Sequence, residues 1–131
     1  KGRGGALLRE KVLAQASGRY VIMVDPTKHV ERLGSRGPVP VEVLPFAVAP
    51  VAGKLRDLGA RVRIRTVEKE PFLTDQHNMI LDCDFGPLED PRAVARQMES
   101  VAGVLEHGLF LGFRATILTG TAAGVERREP S

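Results

Sequence analysis

Apolar and polar positions follow several different rhythms along the chain, and each change of rhythm marks an element. Residues 7–16 are rich in Leu and Ala and end at Ser17-Gly18, which predicts a helix with its C-cap. Arg19-Tyr20-Val21-Ile22-Met23-Val24 is a short apolar, β-rich run, which predicts a buried parallel strand. Gly34-Ser35-Arg36-Gly37-Pro38 breaks the composition and predicts a domain boundary. Beyond it come a strand over 39–44 and a helix over 46–58 ended by Gly59, with Pro50 near the first turn. Arg61-Val62-Arg63-Ile64-Arg65 alternates strictly and predicts a half-exposed strand. A turn at 68–71 leads to a returning strand, broken near Asp75 and continuing over 78–85. Asp90-Pro91 starts a helix with a capping side chain followed by Pro at the first position. That helix runs to about 101, Gly103 closes it, and 104–110 is a strand. The order β-α-β-β-α-β is the split βαβ, or ferredoxin-like, pattern. A further apolar strand over 113–118 returns the chain to the first sheet, and the charged residues 126–131 are expected to fray.

Composition narrows the function classes. The chain has 131 residues, 43% of them hydrophobic and 27% charged, enough for one ordinary domain or two small ones. Nineteen Lys and Arg against 16 Asp and Glu give a net charge of +3, which suits a small anionic ligand. Nucleic acid fits poorly, since there is no Trp, one Tyr and no aromatic set interleaved with basic residues. The longest apolar stretch, 41–53, is broken by Glu42, Pro45 and Pro50 and falls short of the ~20 residues a membrane span needs. The pattern therefore predicts no membrane partner. No signal peptide is visible, and the single Cys83 lies in an apolar strand as a buried small hydrophobe, so a cytoplasmic setting is expected. His29, His77 and His107 are too scattered to make a metal site, and no Ser-His-Asp or Cys-His set assembles.

The chemistry concentrates at the start. In Lys1-Gly2-Arg3-Gly4-Gly5-Ala6-Leu7-Leu8-Arg9-Glu10-Lys11, three glycines in four positions precede a helix. Such a loop lets a ligand approach main-chain amides, and the helix N-terminus favours an anion. Lys1 adds a positive charge, and Glu10 places a carboxylate on a rigid element. Those parts suit the movement of a proton on an anionic substrate. The bland alternative is a tight turn before a surface helix, with Glu10 and Lys11 solvated. At the end of the first strand, Asp25-Pro26-Thr27-Lys28 lies at the edge where open α/β sheets contact ligands, which makes Lys28 a candidate phosphate clamp. Arg61, Arg63 and Arg65 read as a solvated strand face, and Asp82 and Asp84 as a pair lying away from the glycine loop.

The segment Lys1-Gly2-x-Gly4-Gly5-Ala6-x-x-x-Glu10-Lys11 resembles the signature loop and helix of type A ribose-5-phosphate isomerases. Four further blocks agree in order and at nearly the family's spacing: Asp25-x-Thr27-Lys28, Pro38-Val39-Pro40-Val41-Glu42-Val43-x-Pro45, Asn78-x-Ile80-Leu81-Asp82 and Gly108-Leu109-Phe110. The resemblance runs from Lys1 to about Val125. It implies an α/β fold in which a partial, discontinuous Rossmann-like parallel-sheet domain (1–36 and 111–131) carries an inserted ferredoxin-like α+β domain (37–110) used in subunit assembly. A homodimer or higher homo-oligomer of the full-length protein is expected. The implied reaction interconverts D-ribose 5-phosphate and D-ribulose 5-phosphate through an enediolate, in the non-oxidative pentose phosphate pathway, without a cofactor.

The resemblance also assigns roles. Glu10 is the proton acceptor; Lys1 with the Gly2–Gly4 loop, including Arg3, binds substrate and stabilises the oxyanion; Lys28 makes a further substrate contact. Two departures are visible. Arg3 stands where the family often has Gly or another uncharged residue, and Gln76-His77 replaces an Asn-Gly hairpin turn, which predicts a longer or differently typed loop. The chain opens on Lys1 directly into a loop that should follow a strand, and the family's Thr-rich phosphate loop and Asp-Gly-Ala-Asp segment are missing. A C-terminal portion, inactive or nearly so by itself, is therefore expected. The rival readings are a non-catalytic sugar-phosphate sensing module of isomerase-like fold, which has no use for Glu10, and a purely structural assembly domain built on 39–110.

Overall fold

A computed structural model describes residues 1–131. Two sheets organise it. In the first, β1 (Tyr20–Val24) pairs in parallel with β8 (Ala115–Thr121), which pairs antiparallel with β9 (Gly124–Arg128). In the second, four antiparallel strands lie in the order β3 (Arg61–Ile64), β6 (Met79–Asp84), β2 (Val39–Val43), β7 (Val104–His107). Helix α1 (Leu8–Ala16) precedes β1, while α2 (Val48–Asp57) and α3 (Pro91–Glu99) belong to the four-stranded sheet. A two-strand ribbon, β4 (Thr66–Val67) and β5 (Glu70–Pro71), turns through Glu68 and Lys69, both at positive φ. The result is a mixed α/β architecture with parallel and antiparallel pairing. None of its helices is long and apolar enough to cross a membrane.

The main core lies on one face of the four-stranded sheet. Val39, Val41 and Val43 alternate inward with Leu81 and Cys83 and meet Val51, Leu55, Ala95 and Met98 of the two helices. Burial pushes the Cys83 thiol up to about 12, so it behaves as a small hydrophobe. Local chemistry sets the helix ends. Asp90 accepts a hydrogen bond from Ala93 N (3.0 Å) with Pro91 at the first position, and Gly59 at φ +102° follows α2. Residues 45–47 form a 3-10 turn, so α2 begins at Val48, two residues later than expected, with Pro50 still in its first turn. Helix α3 and strand β7 likewise end earlier than expected, at Glu99 and His107.

Three sequence expectations need correction. Residues 126–128, expected to fray, form part of β9; its charged residues are all exposed, as suits an edge strand. The returning strand expected over 113–118 begins at Ala115 and runs on to Thr121. Strand β1, expected to be buried, alternates instead, with Val21 and Met23 exposed and Tyr20, Ile22 and Val24 half-buried. The expectation at Gln76-His77 fits: His77 N donates to Thr74 O (2.8 Å) and His77 adopts φ +63°, a longer loop than a two-residue turn.

The opposite face of the four-stranded sheet buries a carboxyl group. Glu42 on β2 is fully buried; its Oε2 accepts from Asn78 Nδ2 (3.4 Å) and its Oε1 has no partner. Loss of water raises its pKa, against a smaller opposing effect of the Asn78 bond. The unfolded chain, whose Glu ionises near pH ~4.3, thus gives up the proton at lower pH than the folded chain. Stability contributed by neutral Glu42 is present below that pH and falls as pH rises toward the folded value. Glu42→Gln is expected to raise the melting temperature by a few degrees at pH 7, with the gain vanishing near pH 4, as followed by calorimetry.

Candidate functional site

The first eleven residues lie on the helix-free face of the four-stranded sheet. Residues 2–5 form a turn closed by Gly5 N donating to Gly2 O (2.9 Å), which leaves the Gly2, Arg3 and Gly4 N–H groups without a protein acceptor. Gly2 (φ +94°) packs on Pro40 of β2, whose ring a Cβ there would approach to 2.7 Å. Gly5 (φ +88°) lies against the Phe72 ring, where a Cβ would collide. A side chain at Gly108 would likewise run into Lys1 O, and the Lys1 main-chain nitrogen donates to Gly108 O (2.7 Å). Glycine is thus demanded by close approach as well as by φ.

Helix α1 then presents Glu10 back over the turn. Its Oε2 lies 3.5 Å from Lys1 Nζ, with both side chains roughly two-fifths exposed. The next residue points the other way. Lys11 is buried at 6% exposure; its Nζ donates to Glu106 Oε1 (2.6 Å), His107 O (2.8 Å) and Leu109 O (3.0 Å) and sits 4.9 Å from the Phe110 ring centre. Leu109 N and Lys11 both approach His107 Nδ1, so the ring proton belongs on Nε2, which donates to Glu99 Oε1 (2.7 Å). Neighbouring positions on one helical turn, about 100° apart around the axis, therefore do different work. Lys11 fastens the helix, and Glu10 is free to face solvent and ligand.

A cleft of about 1320 Å³ opens beside the turn. Lys1, Gly2, Arg3, Gly4, Glu10 and Lys28 all line it, so every site residue expected from sequence borders one space. Lys28 reaches the cleft from a 3-10 turn at the end of β1, held by Asp25, which accepts from Thr27 N (2.8 Å) and from the Thr27 hydroxyl. Those two bonds, the hydroxyl's foremost, keep the Asp25 carboxyl below the usual range. Arg36 Nη1 donates to Thr27 O (2.6 Å) and lines the cleft as well. Five cations face three carboxylates there, Glu10, Asp25 and Asp82, which favours an anionic ligand.

Sequence reasoning missed Arg36, Arg65 and Asp82 of this wall. Arg65, read as solvated, is half-buried, and Asp82, read as remote from the loop, pairs with it (2.9 and 2.6 Å). Arg65 Nη1 also donates to Gly2 O (2.9 Å) and Arg3 O (3.0 Å). Arg61, by contrast, makes only an exposed pair with Asp84 (3.0 Å). The sequence held no signal that separates Arg65 from Arg61 and Arg63, since all three share one spacing; only the structure shows that β3 ends at Ile64.

Comparison with known proteins decides the family. The model for Ribose 5-phosphate isomerase A (phosphoriboisomerase A) matches residues 1–124. The chain belongs to the ribose 5-phosphate isomerase A family. It is 51% identical to the Ribose-5-phosphate isomerase A of Gluconobacter oxydans over 99% of its length, and covers 57% of that protein. The ribose 5-phosphate isomerase of Plasmodium falciparum superposes with a TM-score of 0.94 at 33% identity, over the whole chain and 59% of that structure. A D-ribose-5-phosphate isomerase solved in complex with phospho-erythronic acid gives 0.92 at 34% identity, over 98% of this chain and 57% of that one. The chain thus spans a little over half the length of these family members.

The two glycines that pack and the one that does not should separate by stability. Gly5→Ala, strained by its φ and blocked by Phe72, is expected to cost about 1–3 kcal/mol. Gly4→Ala, with nothing within 4 Å of its Cβ, is expected to cost less than about 1 kcal/mol. Urea unfolding of the two variants measures the difference.

Proposed function

We propose that this chain supplies the proton-transferring carboxylate and the oxyanion cradle of an enzyme interconverting D-ribose 5-phosphate and D-ribulose 5-phosphate. The observation that carries the reading is the Glu10 carboxylate 3.5 Å from the Lys1 ammonium, above a turn whose Gly2, Arg3 and Gly4 N–H groups have no protein acceptor, in a chain of this family. Glu10 takes the proton from C2 of the open-chain aldose, and charge develops on the former carbonyl oxygen O1. Lys1 and the N–H groups of the Gly2–Gly4 turn meet that oxyanion, where fixed donors act most strongly. Return of the proton to C1, with a proton passing from O2 to O1, completes the ketose. Atoms balance within the sugar, and no cofactor enters. Arg3 and Lys28 contact the anionic substrate from the cleft walls.

The same reading divides the chain into a discontinuous Rossmann-like α/β unit (1–36 and 111–131) and an inserted ferredoxin-like unit (37–110). The antiparallel order β7-β2-β6-β3 and its two crossing helices support the insert, and the parallel β1–β8 pair supports the outer unit. Subunit assembly into a homodimer or higher homo-oligomer falls to the insert, where Phe46 is 87% exposed. The sensing-module alternative leaves Glu10 idle, whereas here Glu10 shares the cleft with every cation expected to bind substrate.

The test is turnover of ribose 5-phosphate by the whole protein and its Glu10→Gln variant. Loss of kcat by about 10²–10⁴-fold with substrate still bound is the expected outcome. Binding without turnover in the parent protein would establish the sensing module instead.

A further inference from the structure

Arg65 is set as a clasp on the glycine turn. Its Nε and Nη2 grip both oxygens of Asp82 (2.9 and 2.6 Å), and its Nη1 donates to Gly2 O (2.9 Å) and Arg3 O (3.0 Å). Both side chains are less than a fifth exposed, so the fork works with little competition from water. The guanidinium also lies 6.0 Å from the centre of the Phe72 ring, the ring that packs on Gly5.

The direction of those two carbonyls matters. In a trans peptide the C=O and N–H point to opposite sides of the chain. The Gly2 carbonyl belongs to the peptide whose N–H is that of Arg3, and the Arg3 carbonyl to the peptide whose N–H is that of Gly4. Drawing both oxygens onto one guanidinium therefore turns both N–H groups away from Arg65. Both lack a protein acceptor. A cation on the carbonyl oxygen also polarises each peptide and strengthens its N–H as a donor.

We propose that Arg65, anchored by Asp82, is a positioning residue that aims the Arg3 and Gly4 N–H groups at the oxygen where charge develops. The proposal rests on the isomerase reading above and assigns a chemical task to a residue of the four-stranded sheet. Lys1 and Glu10 touch substrate; Arg65 acts through the turn. Its effect should fall on the transition state, since the aimed donors matter most when the oxyanion forms.

The test uses the whole protein with Arg65→Ala, Arg65→Lys and Asp82→Asn, beside Glu10→Gln. Folded Arg65→Ala is expected to lose about 10- to 100-fold in kcat with KM within about threefold of the parent. Arg65→Lys, a point charge without the fork, should recover part of that loss. Millimolar guanidinium should restore kcat to Arg65→Ala and leave the parent unchanged. Parent-like kcat in folded Arg65→Ala, or a loss confined to KM, overturns the orienting role while Glu10→Gln remains inactive. An active Glu10→Gln overturns the assignment of the base and leaves the Arg65 result standing. Should Arg65→Ala fail to fold, Asp82→Asn, which keeps the guanidinium but frees it, is judged by the same kcat criterion.

Discussion

Residues 1–11 keep their shape because they are bolted to a sheet that begins nearly thirty residues later. Two cations make the bolts. Lys11 reaches from α1 to Glu106 and to the carbonyls of His107 and Leu109, and Arg65 reaches from the end of β3 to the carbonyls of Gly2 and Arg3. Both are largely out of water and every near oxygen is used, the condition under which removing one partner of a buried pair costs about 3–5 kcal/mol. The Lys1–Glu10 pair is different. It is 3.5 Å long and about two-fifths exposed, so its own contribution is at most about 1 kcal/mol. The Lys1–Glu10 pair is therefore placed by the backbone beneath it and not by its own attraction. Each of its members stays free to exchange its partner for a ligand.

That division explains what the sequence disclosed. Asp90-Pro91, Gly59 and the alternation of Val39, Val41 and Val43 are local signals, and the elements they mark are present. Glu10 and Lys1 stood out because they sit within one short segment beside glycines. Lys11 did not, since its partner lies 95 residues away and the rules for helix side chains see only three or four positions. Arg65 was hidden by Arg61 and Arg63, whose spacing it shares but whose strand it leaves. Strand β9 was hidden by its own charges, which mark an exposed edge as readily as a frayed end.

The cleft shows the same separation of duties in its electrostatics. Of its five cations, Arg65 and Arg36 already serve carbonyls, Arg36 through Thr27 O. Arg3 and Lys28 are exposed and keep their donors for whatever enters. Lys1 lies between, touching Glu10 and 5.9 Å from the centre of the Phe110 ring, which also faces Lys11. An anion entering there meets charge that is held by hydrogen bonds at the turn and exposed to solvent at the rim. Such an arrangement suits an anionic ligand.

The three glycines of the turn finish the point, for they are glycine for three separate reasons. Gly2 is required by the Pro40 ring below it, and Gly5 by a left-handed backbone and the face of Phe72. Gly4 meets neither condition: nothing lies within 4 Å of where its side chain would stand, and it borders the cleft. The empty volume over Gly4 is instead room beside an N–H group that no protein atom occupies. Packing and backbone conformation explain the outer two residues, and the third leaves its N–H group open to the cleft.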